Sequence, residues 1–228
     1  MDFDIISFDL DGTLVDTAGE IAEAANRALE SHGIERRPEH LITRHIGAGT
    51  RELMLRVLAE VFLEQPELAD RVRPEHVLAS LDHHYEATTG STSQPYAGAG
   101  EMLARLRDAG VRLACTTNKE LRHARRLLEA HRLAECFDLV TGGDSLSVKK
   151  PDAGVLRHVV FTLRGDRRRS AHLGDSHIDV QAARQAGVAA WAVTFGYNGG
   201  RPIEASRPDR LFPDLNTVAA HVLRREVA

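Results

Sequence analysis

Phe3-Asp4-Ile5-Ile6-Ser7-Phe8-Asp9-Leu10-Asp11-Gly12-Thr13 is the stretch that decides the fold. Ile5, Ile6, Phe8 and Leu10 form a short apolar run of the kind carried by a strand buried on both faces of a parallel sheet. The run ends in Asp-x-Asp-Gly-Thr. A helix is expected directly afterwards: Thr17 and Glu20 have capping-box spacing, Ile21, Ala24, Ala25, Ala28 and Leu29 recur at helical intervals, and Gly33 supplies a stop. To about Thr89 the periodicity stays helical, with Leu53, Met54, Val57, Leu58 and Val61 in one stripe and Val77, Leu78 and Leu81 in another.

Beyond the turn-rich residues 91–100, helices and strands alternate. Helices are expected at 101–109, 121–131, 152–163 and 178–186. Strands are expected at 111–116, 137–140, 171–173 and 188–193. Such alternation implies right-handed crossovers and a parallel sheet covered on both faces. The reading is one doubly wound α/β core, residues 1–16 and 90–228, interrupted after its first strand by a helical insert at 17–89.

The chain has 228 residues and a formal net charge of −4 with its signs interspersed, so it lacks the concentrated positive charge that nucleic acid polymers or anionic membranes would need. No apolar run approaches the ~18 residues of a membrane span. Cys115 and Cys136 are too few for a disulfide framework and lack metal-site spacing. Asp2 and Asp4 stand where a signal peptide would carry Lys or Arg. These features together point to the cytoplasm and leave a monomer or a homodimer open.

Open parallel sheets bind ligands beyond the carboxyl ends of their strands. There the chain places Asp9-Leu10-Asp11-Gly12-Thr13, Thr116-Thr117-Asn118-Lys119, Lys149-Lys150-Pro151 and Gly174-Asp175-Ser176-His177-Ile178-Asp179. On extended backbone Asp9 and Asp11 would present adjacent carboxylates. With Asp175 and Asp179 they concentrate negative charge that calls for a cation, and an all-oxygen donor set suits Mg²⁺. A carboxylate can attack phosphorus while a neighbouring acid protonates the leaving oxygen. Thr117 and Lys150 would hold the transferring phosphoryl group. Of the two lysines, the one abutting Pro151 is preferred.

Other motifs fit poorly. Gly12 sits at position 4 from Asp9, where a calcium loop needs it at 6. Gly174-Asp175-Ser176-His177-Ile178 lacks the final glycine of a hydrolase elbow.

In family order, the four motifs resemble those of the haloacid dehalogenase superfamily of phosphohydrolases, and the insert resembles its small helical cap. That resemblance implies a Rossmann-like core. It also implies Asp9 as nucleophile and Asp11 as general acid/base, with Asp11 lending its backbone carbonyl to Mg²⁺. Asp175 would complete the metal's protein ligands, and Asp179 would stand behind them. Thr117, Asn118 and Lys150 would bind the phosphoryl group. Within the superfamily, residues 9–17, His45-Ile46-Gly47, Gly196-Tyr197-Asn198 and Pro208-Asp209 are similar to the phosphoglycolate phosphatase subgroup. The chain departs from that subgroup at Tyr96-Ala97-Gly98-Ala99, where Tyr-Pro-Gly-Val is usual.

The expected function is Mg²⁺-dependent hydrolysis of a small phosphate ester, foremost 2-phosphoglycolate. Its rivals are a phosphatase for another small metabolite and a sugar phosphomutase. A phosphoacceptor signalling domain would be near half this length and would lack the insert. For specificity, Arg51 is the candidate: it follows the glycines of Arg44-His45-Ile46-Gly47-Ala48-Gly49-Thr50, where Thr50 can cap the next helix over a bound anion.

Overall fold

The computed structural model describes residues 3–223; Asp2, cited above, lies outside them. Strand β1 is Ile5–Phe8, and all four of its residues are buried. Two short segments, β2 (Val15–Asp16) and β3 (Gln94–Pro95), pair antiparallel as a separate ribbon where the chain enters and leaves the helical insert. The main strands are β4 (Arg112–Thr116), β5 (Leu139–Thr141), β6 (Ser170–Gly174), β7 (Ala189–Val193) and β8 (Arg210–Phe212). They join β1 in the order β5-β4-β1-β6-β7-β8, and every pairing is parallel.

From β1 the chain builds outward through β4 and β5, then crosses back to β6, β7 and β8. The winding therefore reverses beside β1, which puts the ligand crevice at the carboxyl ends of β1, β4 and β6.

Alternation along the strands sorts the two faces. Trp191 and Val193 join Ile6 and Phe8 in a cluster with α5 (Ala99–Asp108), α6 (Leu121–Ala130) and α9 (Leu215–Val222). Ala190 and Ala192 instead pack on α7 (Ala153–Thr162) and α8 (His177–Ala186). Neither β8 nor α9 was expected from the sequence; β8 buries only Phe212.

The insert holds α1 (Ala18–Glu30), α2 (Glu39–Thr43), α3 (Thr50–Glu64) and α4 (Pro74–Thr88). Their apolar stripes meet in a cluster of their own, with Leu29, Ile42, Met54, Leu58, Val77, Leu81 and Tyr85 at its centre. Among the described residues, no helix is long and apolar enough to cross a membrane.

The capping box expected at Thr17 and Glu20 does not form. The Tyr197 hydroxyl, 180 residues downstream, accepts the Thr17 N–H at 2.7 Å. It also accepts the Ala18 N–H at 3.0 Å and donates to Asp16 Oδ1 at 2.7 Å. Thus a tertiary contact caps α1 and leaves both polar side chains for other work. Thr17 Oγ1 donates to Asp11 Oδ1 at 2.8 Å. Buried Glu20 accepts backbone N–H groups of Gly90, Ser91, Thr92 and Ser93 through Oε2, pinning the segment by which the chain leaves the insert.

Candidate active site

Three adjacent strands deliver their loops to one rim. Asp9 follows β1, and its N–H donates to Leu173 O of β6 at 2.8 Å. Thr117 follows β4, and its N–H donates to Thr141 O of β5 at 3.0 Å. Asp175 follows β6. Asp9, Asp11, Thr117, Asn118 and Lys119 line a cavity closed from above by Ile46, Gly47, Gly49 and Thr50 of the insert. Its free space is about 20 Å³, room for a water or two.

On one side stands a chain of buried charges. Lys150 Nζ lies 2.9 Å from Asp9 Oδ1 and 2.7 Å from Asp179 Oδ1. Lys149 turns away and donates to Ala48 O at 2.7 Å. Asp179 is saturated with donors. Oδ1 takes Lys150 and, at 3.2 Å, His172 Nε2. Oδ2 takes the Ser176 N–H at 3.1 Å and the Ser176 hydroxyl at 2.5 Å. Burial works to raise the Asp179 pKa, but Lys150 and His172 outweigh it and hold it well below the usual carboxylate range. Burial lowers the His172 pKa, which keeps that ring neutral.

Asp9 and Asp175 go the other way. Burial, joined by the charges of Asp179 and Asp11, pushes Asp9 up to about 6 against the pull of Lys150. Burial and the charges of Asp179 and Asp9 also raise Asp175 well above the usual carboxylate range, although Tyr197 N–H donates to its Oδ2 at 2.7 Å.

These residues fit a hard divalent cation. Carboxylate oxygens of Asp9, Asp175 and Asp179 lie within 4.8 Å of one another, all buried. Asp9 Oδ1 has no aligned hydrogen-bond donor despite the nearby ammonium. Two buried carboxylates pushed towards neutrality are what a bound cation would reverse. Because Asp179 already accepts four donors, Asp9 and Asp175 are the side chains left to hold the ion.

Asp11 departs from the adjacent pair expected of extended backbone, because β1 ends at Phe8. The Asp11 carboxylate turns instead towards Lys119, whose Nζ lies 2.8 Å from Oδ1. Burial opposes the charge on Lys119, yet Asp11 and the Tyr85 oxygen hold its pKa above the usual lysine range. Tyr85 comes from α4, so the insert contributes to this side of the site through the hydrogen bond from Lys119 Nζ to the Tyr85 hydroxyl.

Asn118, Arg51 and Thr50 take the following places. The Asn118 side-chain amide donates to Gly47 O at 2.9 Å and Lys150 O at 2.8 Å, tying the insert to the core loop, while Asn118 itself lines the Asp9 cavity. Arg51 is exposed and lines a neighbouring hollow with Asp82, Tyr85 and Glu120, outside the Asp9 cavity. Thr50 is no cap: Gly49 holds that position, and Thr50 Oγ1 donates to Glu120. Gly49 does permit a close approach, but to the core loop: at its φ of 97° a Cβ would sit 2.8 Å from Asn118 O.

Lys119, Tyr85, His172 and Tyr197 were given no role from sequence. Lys119 could have been found, since it continues the Thr117-Asn118 loop. Tyr85 falls in the Val77-Leu81 stripe and reads there as core.

The haloacid dehalogenase-like hydrolase model matches residues 6–193. The chain is 38% identical over 215 residues to the plasmid-encoded phosphoglycolate phosphatase of Cupriavidus necator, covering 94% of this chain and 91% of that one. It is 34% identical over 221 residues to the phosphoglycolate phosphatase of Vibrio cholerae, covering 96% of each. A crystal structure of a predicted phosphoglycolate phosphatase from Haemophilus somnus superposes with a TM-score of 0.91 at 28% identity, covering 97% of this chain and 99% of that one.

Proposed function

The chain belongs to the haloacid dehalogenase-like hydrolase family, and from that premise we propose that it is a Mg²⁺-dependent phosphatase acting on 2-phosphoglycolate through an aspartyl-phosphate at Asp9. Residues 1–16 and 90–228 are its core and 17–89 its cap. Free Cys115 and Cys136 suit a reducing compartment, the cytoplasm.

An Asp9 carboxylate oxygen attacks phosphorus as the bond to the substrate's alkoxide oxygen breaks. Asp11 gives that oxygen a proton. Water then attacks the aspartyl-phosphate, Asp11 takes the water's proton, and the P–O bond to Asp9 breaks to release phosphate and restore the carboxylate. Lys150 and Thr117 hold phosphoryl oxygens, while Lys119 and Thr17 aim the Asp11 carboxylate. A divalent ion on Asp9 and Asp175 would neutralise phosphoryl charge.

The observation that carries this reading is the separation of two carboxylates on one cavity by their partners: Asp9 beside Lys150, and Asp11 beside Lys119. Identity of 38% to a named phosphoglycolate phosphatase supports the substrate. The cavity as it stands has room for a water or two, and admission of the ester is expected to be accompanied by movement of the cap. Phosphate release across a panel of small phosphoesters with Mg²⁺ tests the assignment. The highest kcat/KM should fall on 2-phosphoglycolate; phosphate that stays on sugar would mean a mutase.

A further inference from the structure

Three polar side chains occupy positions where a central parallel sheet normally carries apolar ones. Ser7 on β1, Thr116 on β4 and His172 on β6 are at most 2% exposed, and Ser7 lies opposite His172 in register. Ser7 Oγ is 2.8 Å from Thr116 Oγ1 and 3.0 Å from His172 Nδ1. His172 Nε2 reaches the Asp179 oxygen that also takes Lys150. A line of hydrogen bonds thus runs beneath the site from the sheet interior to Lys150, whose ammonium stands in an ion pair with Asp9. Apolar side chains would fill this space without burying donors and acceptors, which are costly unless paired.

We propose that His172 is a positioning residue of the reaction: its Nε2–H holds Asp179 so that the carboxylate keeps Lys150 against Asp9. The proposal rests on the roles given above to Asp9 and Lys150. A carboxylate oxygen only accepts, so the proton of the neutral ring belongs on Nε2; Nδ1 is then an acceptor, which requires the Ser7 hydroxyl to turn its one proton from Thr116 Oγ1 to Nδ1 and Thr116 to donate to Ser7 in its place. Ser176 secures Oδ2 of Asp179. His172 secures Oδ1, the oxygen facing the ammonium. Without it, the carboxylate can turn about its Oδ2 anchor, and Lys150 loses its fixed place relative to the transferring phosphoryl group, where small displacements are expensive.

Glutamine and asparagine separate the two ends of the ring, since a Gln amide nitrogen matches the reach of Nε2 and an Asn amide that of Nδ1. His172→Leu and His172→Asn should each lower kcat/KM on the best phosphoester by about tenfold or more, mainly in kcat. His172→Gln should restore it to within about threefold, whatever the order of the melting temperatures. A purely structural role makes the losses follow the melting temperatures instead. Wild-type kcat/KM in the Leu variant, or a folded Gln variant as poor as Leu, overturns the proposal. Long-range ¹H–¹⁵N spectra of the unsubstituted protein test the tautomer without turnover: an Nε2-protonated ring is expected, and an Nδ1-protonated ring defeats the proposal even in an active phosphatase. Absence of phosphatase activity with the Nε2 tautomer present would instead strike the functional reading of Asp9, and the positioning role with it.

Discussion

Lys119 Nζ stands 2.8 Å from Asp11 Oδ1, with the lysine side chain wholly buried and the carboxylate 12% exposed. Asp11 retains Thr17 as a second donor, so the ammonium supplies the charge and the hydroxyl the direction.

Lys119→Met keeps the volume and removes the charge. Breaking a buried pair from one side costs about 3–5 kcal/mol, and the remaining Thr17 contact with partial exposure places this case near the lower end, about 3 kcal/mol. Denaturant unfolding should show that loss, and turnover should fall with it. A variant as stable and active as wild type would remove Lys119 from the site.

Asp9→Asn should leave the protein folded and without turnover, since an amide cannot serve as the nucleophile. It should also stabilise the metal-free protein in a pH-dependent way. Asp9 is raised to about 6 in the fold from an ordinary 3.8, so its charge opposes folding above pH 6 and its protonation removes that opposition as pH falls towards 4. The gain from Asn should therefore be on the order of 3 kcal/mol at pH 8 and shrink to well under about 1 kcal/mol by pH 4. Melts in chelator at the two pH values give the answer; equal gains at both would contradict the assigned cause.

Chelation should abolish activity and Mg²⁺ restore it. Ca²⁺ should inhibit, because its larger and looser coordination can engage both Asp9 oxygens and occupy the attacking one. Undiminished activity after exhaustive EDTA treatment would rule out a metal on Asp9 and Asp175.

Gly174→Ala probes how tightly β6 runs past Asp179. An added Cβ would meet Asp179 Cγ at 2.2 Å, a contact that forces the carboxylate off Ser176 and Lys150. Overpacking of this kind costs about 1–3 kcal/mol, and kcat should fall more than KM rises. A crystal structure with Asp179 unmoved and normal kinetics would show that the strand yields instead.

The core was legible because buried parallel strands announce themselves: Ile5–Phe8 and Arg112–Thr116 lie inside the stretches expected from apolar runs. Loops at their carboxyl ends inherit their place from the strands, so Asp9, Thr117 and Asp175 reach one rim by topology alone. β2, β3 and β8 were hidden, being two or three residues long with polar members. Thr17 and Glu20 misled because local spacing cannot register Tyr197, whose hydroxyl takes the capping role from far along the chain. His172 stayed silent because one polar residue in a strand reads as an interruption until Ser7 and Thr116 are seen beside it.

Arg51 and Asn118 separate specificity from architecture in the lid over Asp9. From sequence, Arg51→Ala should cost at least about tenfold in kcat/KM for 2-phosphoglycolate. The structure changes that expectation, because Arg51 is exposed and lines the hollow beside Asp82 and Glu120 instead of the Asp9 cavity. A solvated arginine off the substrate's path should cost no more than about threefold. Asn118→Ala should cost far more, although Asn118 carries no charge. It removes the donors that join Gly47 of the cap to Lys150 of the core, leaving two carbonyls short of a partner at about 1 kcal/mol or more each. Steady-state kinetics of the two variants on 2-phosphoglycolate decide the matter. A large loss confined to Arg51→Ala would mean that the cap closes further over substrate and brings the guanidinium inward. The converse pattern would place the carboxylate's recognition on the backbone of residues 46–49.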